Sequence, residues 1–163
     1  MGAADIIPLI DGAPERHLVV GETVIAQDEA DPALFVLISG TLEARRGDAV
    51  LAQIAEPGAI VGELSLLLGT PASADVVAVE PSVVRRIDDA GQLFRDVPEF
   101  GQHLAIMLAR RLHRVTTFLG DLQDQFADRP GTLGLVPTVL SGLLDQEHQE
   151  FVLGSDREPD APY

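Results

Sequence analysis

From Leu18 onward the apolar residues gather in short runs separated by residues that turn a chain. Thr23 to Gln27, Ala33 to Ser39, Thr41 to Arg46, Ala49 to Ile54, Val76 to Val79 and Val83 to Ile87 are rich in aliphatic and β-branched residues. Gly21, Asp31-Pro32, Gly40, Gly47-Asp48, Pro57-Gly58 and Glu80-Pro81 stand between them. Glycine reaches positive φ without a Cβ penalty, and Pro and Asp favour turns, so these positions read as strand boundaries. Many short strands with such punctuation predict a sandwich or jelly roll. Before them, residues 1–17 carry apolar Ile6, Ile7, Leu9 and Ile10 but also Pro8, Gly12 and Pro14, which stop a long helix. A short lead-in packed on the β-domain is expected there.

After Ile87 the period lengthens. Asp88-Asp89 can cap a short helix over Ala90 to Arg95, Pro98 opens the next, and helical pattern then runs from Glu99 to Ala127. Within it Leu108, Leu112, Val115, Leu119, Leu122 and Phe126 follow at spacings of 4, 3, 4, 3 and 4. That is a heptad seam, narrower than the stripe of a helix lying on a globular core. The seam predicts a partner helix and hence a homodimer; packing against the chain's own β-domain is the competing reading. Beyond it, Asp128-Arg129-Pro130-Gly131 breaks the helix, Leu135 to Leu144 can form one short amphipathic helix, and residues 154–163 read as a mobile acidic end. The predicted divisions are thus a lead-in over 1–17, a β-domain over 18–97, a long helix over 98–127 and a tail over 128–163.

Composition narrows the function. The 163 residues suffice for one domain with a helical appendage. Hydrophobic residues are 46% of the chain and aromatics 4%, so the core is aliphatic and offers no stacking platform for bases. With 26 acidic against 11 basic side chains the net charge is −15, which repels nucleic acid and anionic lipid, so neither is an expected partner. There is no cysteine, which removes disulfides, thiolate metal sites and thiol nucleophiles. The start lacks the basic and long apolar regions of a leader, and a cytoplasmic location is expected. His17, His103, His113 and His148 are scattered, without the closely spaced pair a cupin metal site requires, and no nucleophile-elbow, P-loop or dinucleotide fingerprint occurs. No metal, no cofactor and no enzymatic activity are expected.

The informative stretch is Gly58 to Val79, GAIVGELSLLLGTPASADVVAV. An apolar run ends at Gly62-Glu63, the short helical segment Leu64 to Leu68 follows, Gly69-Thr70-Pro71 breaks it, and a β-branched run begins at Val76. A glycine ahead of a helix lets backbone approach a ligand, and the first free N–H groups of Leu64, Ser65 and Leu66 suit an anion. This stretch resembles the phosphate-binding cassette of the cyclic nucleotide-binding domain, found in catabolite-activator-type regulators, cyclic-nucleotide-gated channels and regulatory subunits of protein kinase A. The family pattern, roughly F-G-E-x-A-L-L-x-x-x-P-R-x-A-T/S-V, is met without a gap at Gly62, Glu63, Ser65, Leu66, Leu67, Pro71, Ala74 and Val76. It fails at two positions that matter. Ala72 stands where the family has the arginine that pairs with the cyclic phosphate, and Asp75 stands where it has a small hydroxyl residue.

The resemblance covers about residues 18 to 127 and implies a mainly β fold with C-terminal helices, a double-stranded β-helix or jelly roll followed by a long dimerisation helix. It implies nucleotide contacts from Gly62, Glu63, Leu64, Ser65, Ala72, Ser73, Ala74 and Asp75, with base contacts from Thr116 and Thr117. Losing one partner of a buried charge pair costs about 2–5 kcal/mol, roughly 30-fold to several thousand-fold in affinity. Rescue would need another cation, with Arg45, Arg46, Arg85 and Arg86 as candidates. Asp75 in turn needs a donor, which the cassette N–H groups could supply. In transcription regulators of this family a helix-turn-helix domain follows the long helix, whereas residues 128–163 hold Arg129 and Arg157 against seven acids and predict no such domain. The expected function is a stand-alone, non-enzymatic regulatory module, dimeric and signalling through a protein partner, with weak, atypical or lost cyclic nucleotide binding. The alternatives are a cyclic AMP or cyclic GMP sensor with a rebuilt pocket, and a structural module whose pocket is filled from within.

Overall fold

The structure, a computed structural model, describes residues 3–126, and the backbone alone for residues 3 and 123–126. The expectations of a short helix at 135–144 and an acidic tail lie outside the described residues. A 3-10 helix, Ala3–Ile10, precedes strands β1 (Glu15–Leu18), β2 (Thr23–Ile25), β3 (Leu34–Ser39), β4 (Leu42–Arg46), β5 (Ala49–Ile54) and β6 (Ile60–Val61). Helix α1 (Glu63–Leu68) separates these from β7 (Asp75–Ala78) and β8 (Ser82–Ile87), after which come α2 (Ala90–Asp96) and α3 (Pro98–Phe126).

The strands pair in a nested, antiparallel way: β1 with β8, β2 with β7, β3 with β6 and β4 with β5. Successive nested pairs alternate between two sheets, ordered β1-β8-β3-β6 and β2-β7-β4-β5. A long hairpin folded over itself in this manner is a jelly roll, the predicted mainly β fold with helices after it.

The core has two compartments because β3 is apolar on both faces. Side chains alternate along a strand. Phe35 and Leu37 therefore enter the space between the sheets with Leu18, Val24, Ile25, Leu42, Val61, Val76, Ala78 and Val84. Leu34 and Val36 point the other way, toward Ile6, Ile10, Ile60, Ile87, Ala90, Phe100 and Leu104. This second cluster explains how the N-terminal apolar residues and the helices attach: Ile6 and Ile10 of the 3-10 helix and Phe100 and Leu104 of α3 cover the outer face of the first sheet. Phe94 and Phe100 stack at 5.9 Å between centroids within it. Asp89 caps α2 by accepting from the Gln92 N–H at 2.7 Å, as expected of an acid in that place.

Contacts divide the chain into two units, Met1–Ala109 and Arg110–Tyr163. The first contains both sheets, α1, α2 and the start of α3, where Leu108 packs on the second cluster. In the second, Leu112 and Val115 are 60% and 55% exposed, Phe118 is exposed as well, and Leu119 and Leu122 are half-buried. The polar face of α3 includes Arg110 and Arg114, both exposed. Among the described residues no helix is long and apolar enough to cross a membrane.

Candidate functional site

The cassette begins where β6 ends. Ile60 and Val61 are buried, one in each core compartment, and they fix the entry of Gly62. Gly62 has φ +91°, and a Cβ there would lie 2.7 Å from the carbonyl oxygen of Ala33. Both the left-handed backbone and the close approach require glycine. Gly62 caps α1, whose Leu66 N–H donates to the Gly62 carbonyl at 3.2 Å. Gly69, also left-handed at φ +65°, closes the helix by donating to the Ser65 carbonyl at 3.0 Å. One turn and a half of helix is thereby fixed at both ends by glycines.

Glu63 stands in the first turn of α1 and is only 3% exposed. A carboxylate there is favoured by the helix dipole. Leu64 is exposed and Ser65 half-buried. The structure thus brings Gly62, Glu63, Leu64 and Ser65 together at one helix start.

The second half of the cassette packs against the loop between β2 and β3. Ala72 is 5% exposed and belongs to the cluster between the sheets. Its N–H donates to the Glu29 carbonyl at 2.9 Å, and its carbonyl accepts from the Asp28 N–H at 2.8 Å. Asp28 adopts φ +64°, uncommon outside glycine. Ser73 is exposed, while Ala74 and Asp75 are half-buried. The Asp75 carboxylate accepts the Gln27 N–H at 2.7 Å. The cassette N–H groups considered above are therefore not its donor; the neighbouring loop is. This partner was hidden from the sequence by a separation of 48 residues.

No guanidinium among those considered for rescue is bonded within the cassette. Arg45 lies opposite Asp75 in the β4–β7 register, yet its Nε and Nη2 donate to Glu43 at 2.9 and 2.7 Å. Arg85 donates to Asp11, Glu15 and the Ile10 carbonyl, and the bonds to Asp11 and Glu15 push its pKa above the ordinary range. Arg86 bonds Asp88 and Asp31, the Asp88 bond first in raising its pKa, and its guanidinium sits 5.3 Å over the Phe35 ring. Arg46 is exposed at the end of β4. What the site offers is a set of acceptors: Glu63, Asp75 and the loop acids Asp28 and Glu29. The charged side chains of residues 62–75 are Glu63 and Asp75, both acids.

Thr116 and Thr117 lie in the second unit. The Thr116 hydroxyl donates to the carbonyls of His113 and Leu112 within its own helix at 2.9 and 3.0 Å. Among the described residues no cluster of three His, Asp or Glu could hold a metal ion.

The comparisons agree with this architecture. Residues 15–94 match the family model described as the cyclic nucleotide-binding domain. The chain is 34% identical over 117 residues to the "CRP-like cAMP-activated global transcriptional regulator" of Mycobacterium tuberculosis, across 68% of this chain and 51% of the relative. It is 30% identical over 149 residues to the "Cyclic AMP receptor protein" of Thermus thermophilus, across 85% of this chain and 69% of that protein. The crystal structure of Thermus thermophilus catabolite activator protein superposes with TM-score 0.63 at 23% identity, covering 86% of this chain and 82% of that one. The chain belongs to the cyclic nucleotide-binding domain family, of the catabolite-activator-like type. It spans about half the length of the Mycobacterium tuberculosis relative. The expectation that nucleic acid is no partner draws no support from these relatives, one of which is by name a transcriptional regulator.

Proposed function

We propose that this chain is a non-enzymatic regulatory module whose nucleotide site has kept its scaffold and lost its phosphate contact. The observation that carries this reading is Ala72: the position that the resemblance assigns to the phosphate arginine is a methyl group buried between the sheets, with both its backbone groups bonded to the Asp28–Glu29 loop. A cyclic phosphate placed against α1 would meet helix N–H groups but no guanidinium, and Asp75, Asp28 and Glu29 would oppose its charge. The exposed seam residues Leu112 and Val115 support pairing of α3 with a second copy, and the acidic surface fits a protein partner. A cytoplasmic setting accords with this role.

A cyclic AMP or cyclic GMP sensor with a rearranged phosphate pocket is the second reading, favoured by the intact Gly62–Ser65 half of the cassette, where the buried Glu63 could still take a ribose hydroxyl. Calorimetric titration of nucleotide-stripped protein with cyclic AMP and cyclic GMP separates the two. The first reading expects no saturable binding at micromolar concentrations. Micromolar or tighter binding that Glu63→Ala abolishes would replace it with the second.

A further inference from the structure

The three hydrogen bonds between the β2–β3 loop and the cassette form a unit that neither family membership nor the proposed function accounts for. Gln27 donates to the Asp75 side chain at 2.7 Å. Asp28 donates to the Ala72 carbonyl at 2.8 Å, and Ala72 donates to the Glu29 carbonyl at 2.9 Å. Within the loop the Glu29 N–H donates to the Ala26 carbonyl at 3.1 Å, and the Glu29 carboxylate accepts from the Ala26 N–H at 3.2 Å, closing a tight turn that presents Gln27 and Asp28 to the cassette. Asp28 holds a left-handed φ of +64° to make its bond. A non-glycine residue keeps such a conformation only when its surroundings enforce it. Two of the three bonds are backbone to backbone, open to any residue types. The third is the only one set by a side chain.

We infer that Asp75 is a latch: its carboxylate holds the Ala26–Ala30 loop closed on cassette residues 72–75 in the absence of any ligand. A neutral amide donating to a carboxylate makes one of the stronger hydrogen bonds of a folded chain, and this one is half-buried. Apart from its two backbone bonds to Ala72, the loop carries little to hold it. Asp28, Glu29 and Ala30 are exposed, so the loop buries few apolar groups of its own. The positive φ of Asp28 works against closure, and a bond of charge-assisted strength offsets it. The family pattern has a small hydroxyl residue at position 75. The acid here therefore does more than remove a phosphate ligand: it supplies a permanent internal acceptor that keeps the loop shut. Asp75 is thus a positioning residue, acting on Asp28 and Ala72 through Gln27. The inference concerns protein hydrogen bonds alone and stands or falls independently of whether a nucleotide binds.

Amide hydrogen exchange read residue by residue tests it. In Asp75→Ala the amides of Gln27, Asp28 and Ala72 are expected to exchange together, each at least about tenfold faster than in the wild type, because losing the latch releases bonds that Asp75 does not itself make. In Asp75→Asn, whose Oδ1 can still accept, protection of all three should largely return. Faster exchange at Gln27 alone would overturn the inference, since Asp75 would then be one acceptor among several and not a latch. Equal protection in Asp75→Ala and wild type would overturn it as well. Should Asp75→Ala not fold, the wild type suffices: the three amides are expected to share one opening rate. A Gln27 amide exchanging as fast as the exposed turn at Gly47-Asp48 would contradict the latch.

Discussion

Gly62→Ala exchanges one hydrogen for a methyl group at the point where β6 becomes α1, and two separate costs follow from the structure. The first is conformational. At φ +91° an L side chain pays about 1–2 kcal/mol that glycine does not. The second is steric. The new Cβ would stand 2.7 Å from the Ala33 carbonyl oxygen, and that atom is backbone, held by the start of β3, so no rotamer change relieves the contact. Overpacking of this kind adds about 1–3 kcal/mol. Gly69→Ala is the matched control: it caps the same helix with φ +65°, but nothing lies within 4 Å of its would-be Cβ, so only the conformational cost applies. Urea unfolding at fixed m-value is the assay. Gly62→Ala should lose about 2–5 kcal/mol and melt roughly 5–15 °C lower, with Gly69→Ala losing about 1–2 kcal/mol. Equal losses within about 0.5 kcal/mol would refute the claim that close backbone approach at Gly62 shapes the cassette.

Further outcomes follow from other parts of the chain. Leu112 is 60% exposed, so Leu112→Asp should leave the β-domain folded while shifting sedimentation at roughly tens of micromolar from dimer to monomer; a monomeric wild type would sink the seam argument. Bonds from Arg16 and the Val19 N–H hold the Glu22 carboxyl below its ordinary pKa, so its stabilisation is complete above the unfolded carboxylate value and is lost as pH falls through the lower folded one. The stability gap between wild type and Glu22→Gln, measured by urea unfolding, should therefore close on acidification, and a gap independent of pH would contradict the pairing. Ser82 is buried, and its hydroxyl donates to the Glu80 carbonyl at 2.8 Å while accepting the Thr41 N–H at 3.0 Å. Ser82→Ala strands both partners and should cost about 1–3 kcal/mol in unfolding free energy.

Much of the fold was legible because the strands announce themselves by turn chemistry. Ala49 to Ile54 was bounded by Gly47-Asp48 and the Pro57 turn and is observed with those limits, and Asp89 and Pro98 mark the starts of α2 and α3 as their side chains dictate. Strand β1 was not legible. Its sequence Glu-Arg-His-Leu has one buried residue, Leu18, and its pairing with β8 is imposed by long-range register rather than by pattern. Ile6 and Ile10 were legible as a lead-in packed on the β-domain, and the outer face of β3 is where they pack; the 3-10 helix that carries them across Pro8 was not. In the site, Gly62 and Glu63 were named from the resemblance to the family pattern, and both stand at the start of α1. The donor for Asp75 could not be read from the sequence, because Gln27 reaches it through a loop whose geometry rests on a left-handed Asp28. Strand alternation left the arginines as candidates, and the side-chain ion pairs place Arg45 on Glu43 and Arg85 on Asp11.

The proposed function holds that the cassette keeps its scaffold, lacks its counter-charge at Ala72 and carries an opposing acid at Asp75. Calorimetric titration of nucleotide-stripped wild type and of Ala72→Arg/Asp75→Thr with cyclic AMP tests it most directly, with circular dichroism confirming that both are folded. The account predicts a silent wild type and a double variant that binds, with a gain of at least about 30-fold if the restored charge pair contributes what such pairs usually do. Binding by the wild type at micromolar concentration, equal to that of the variant, would contradict it.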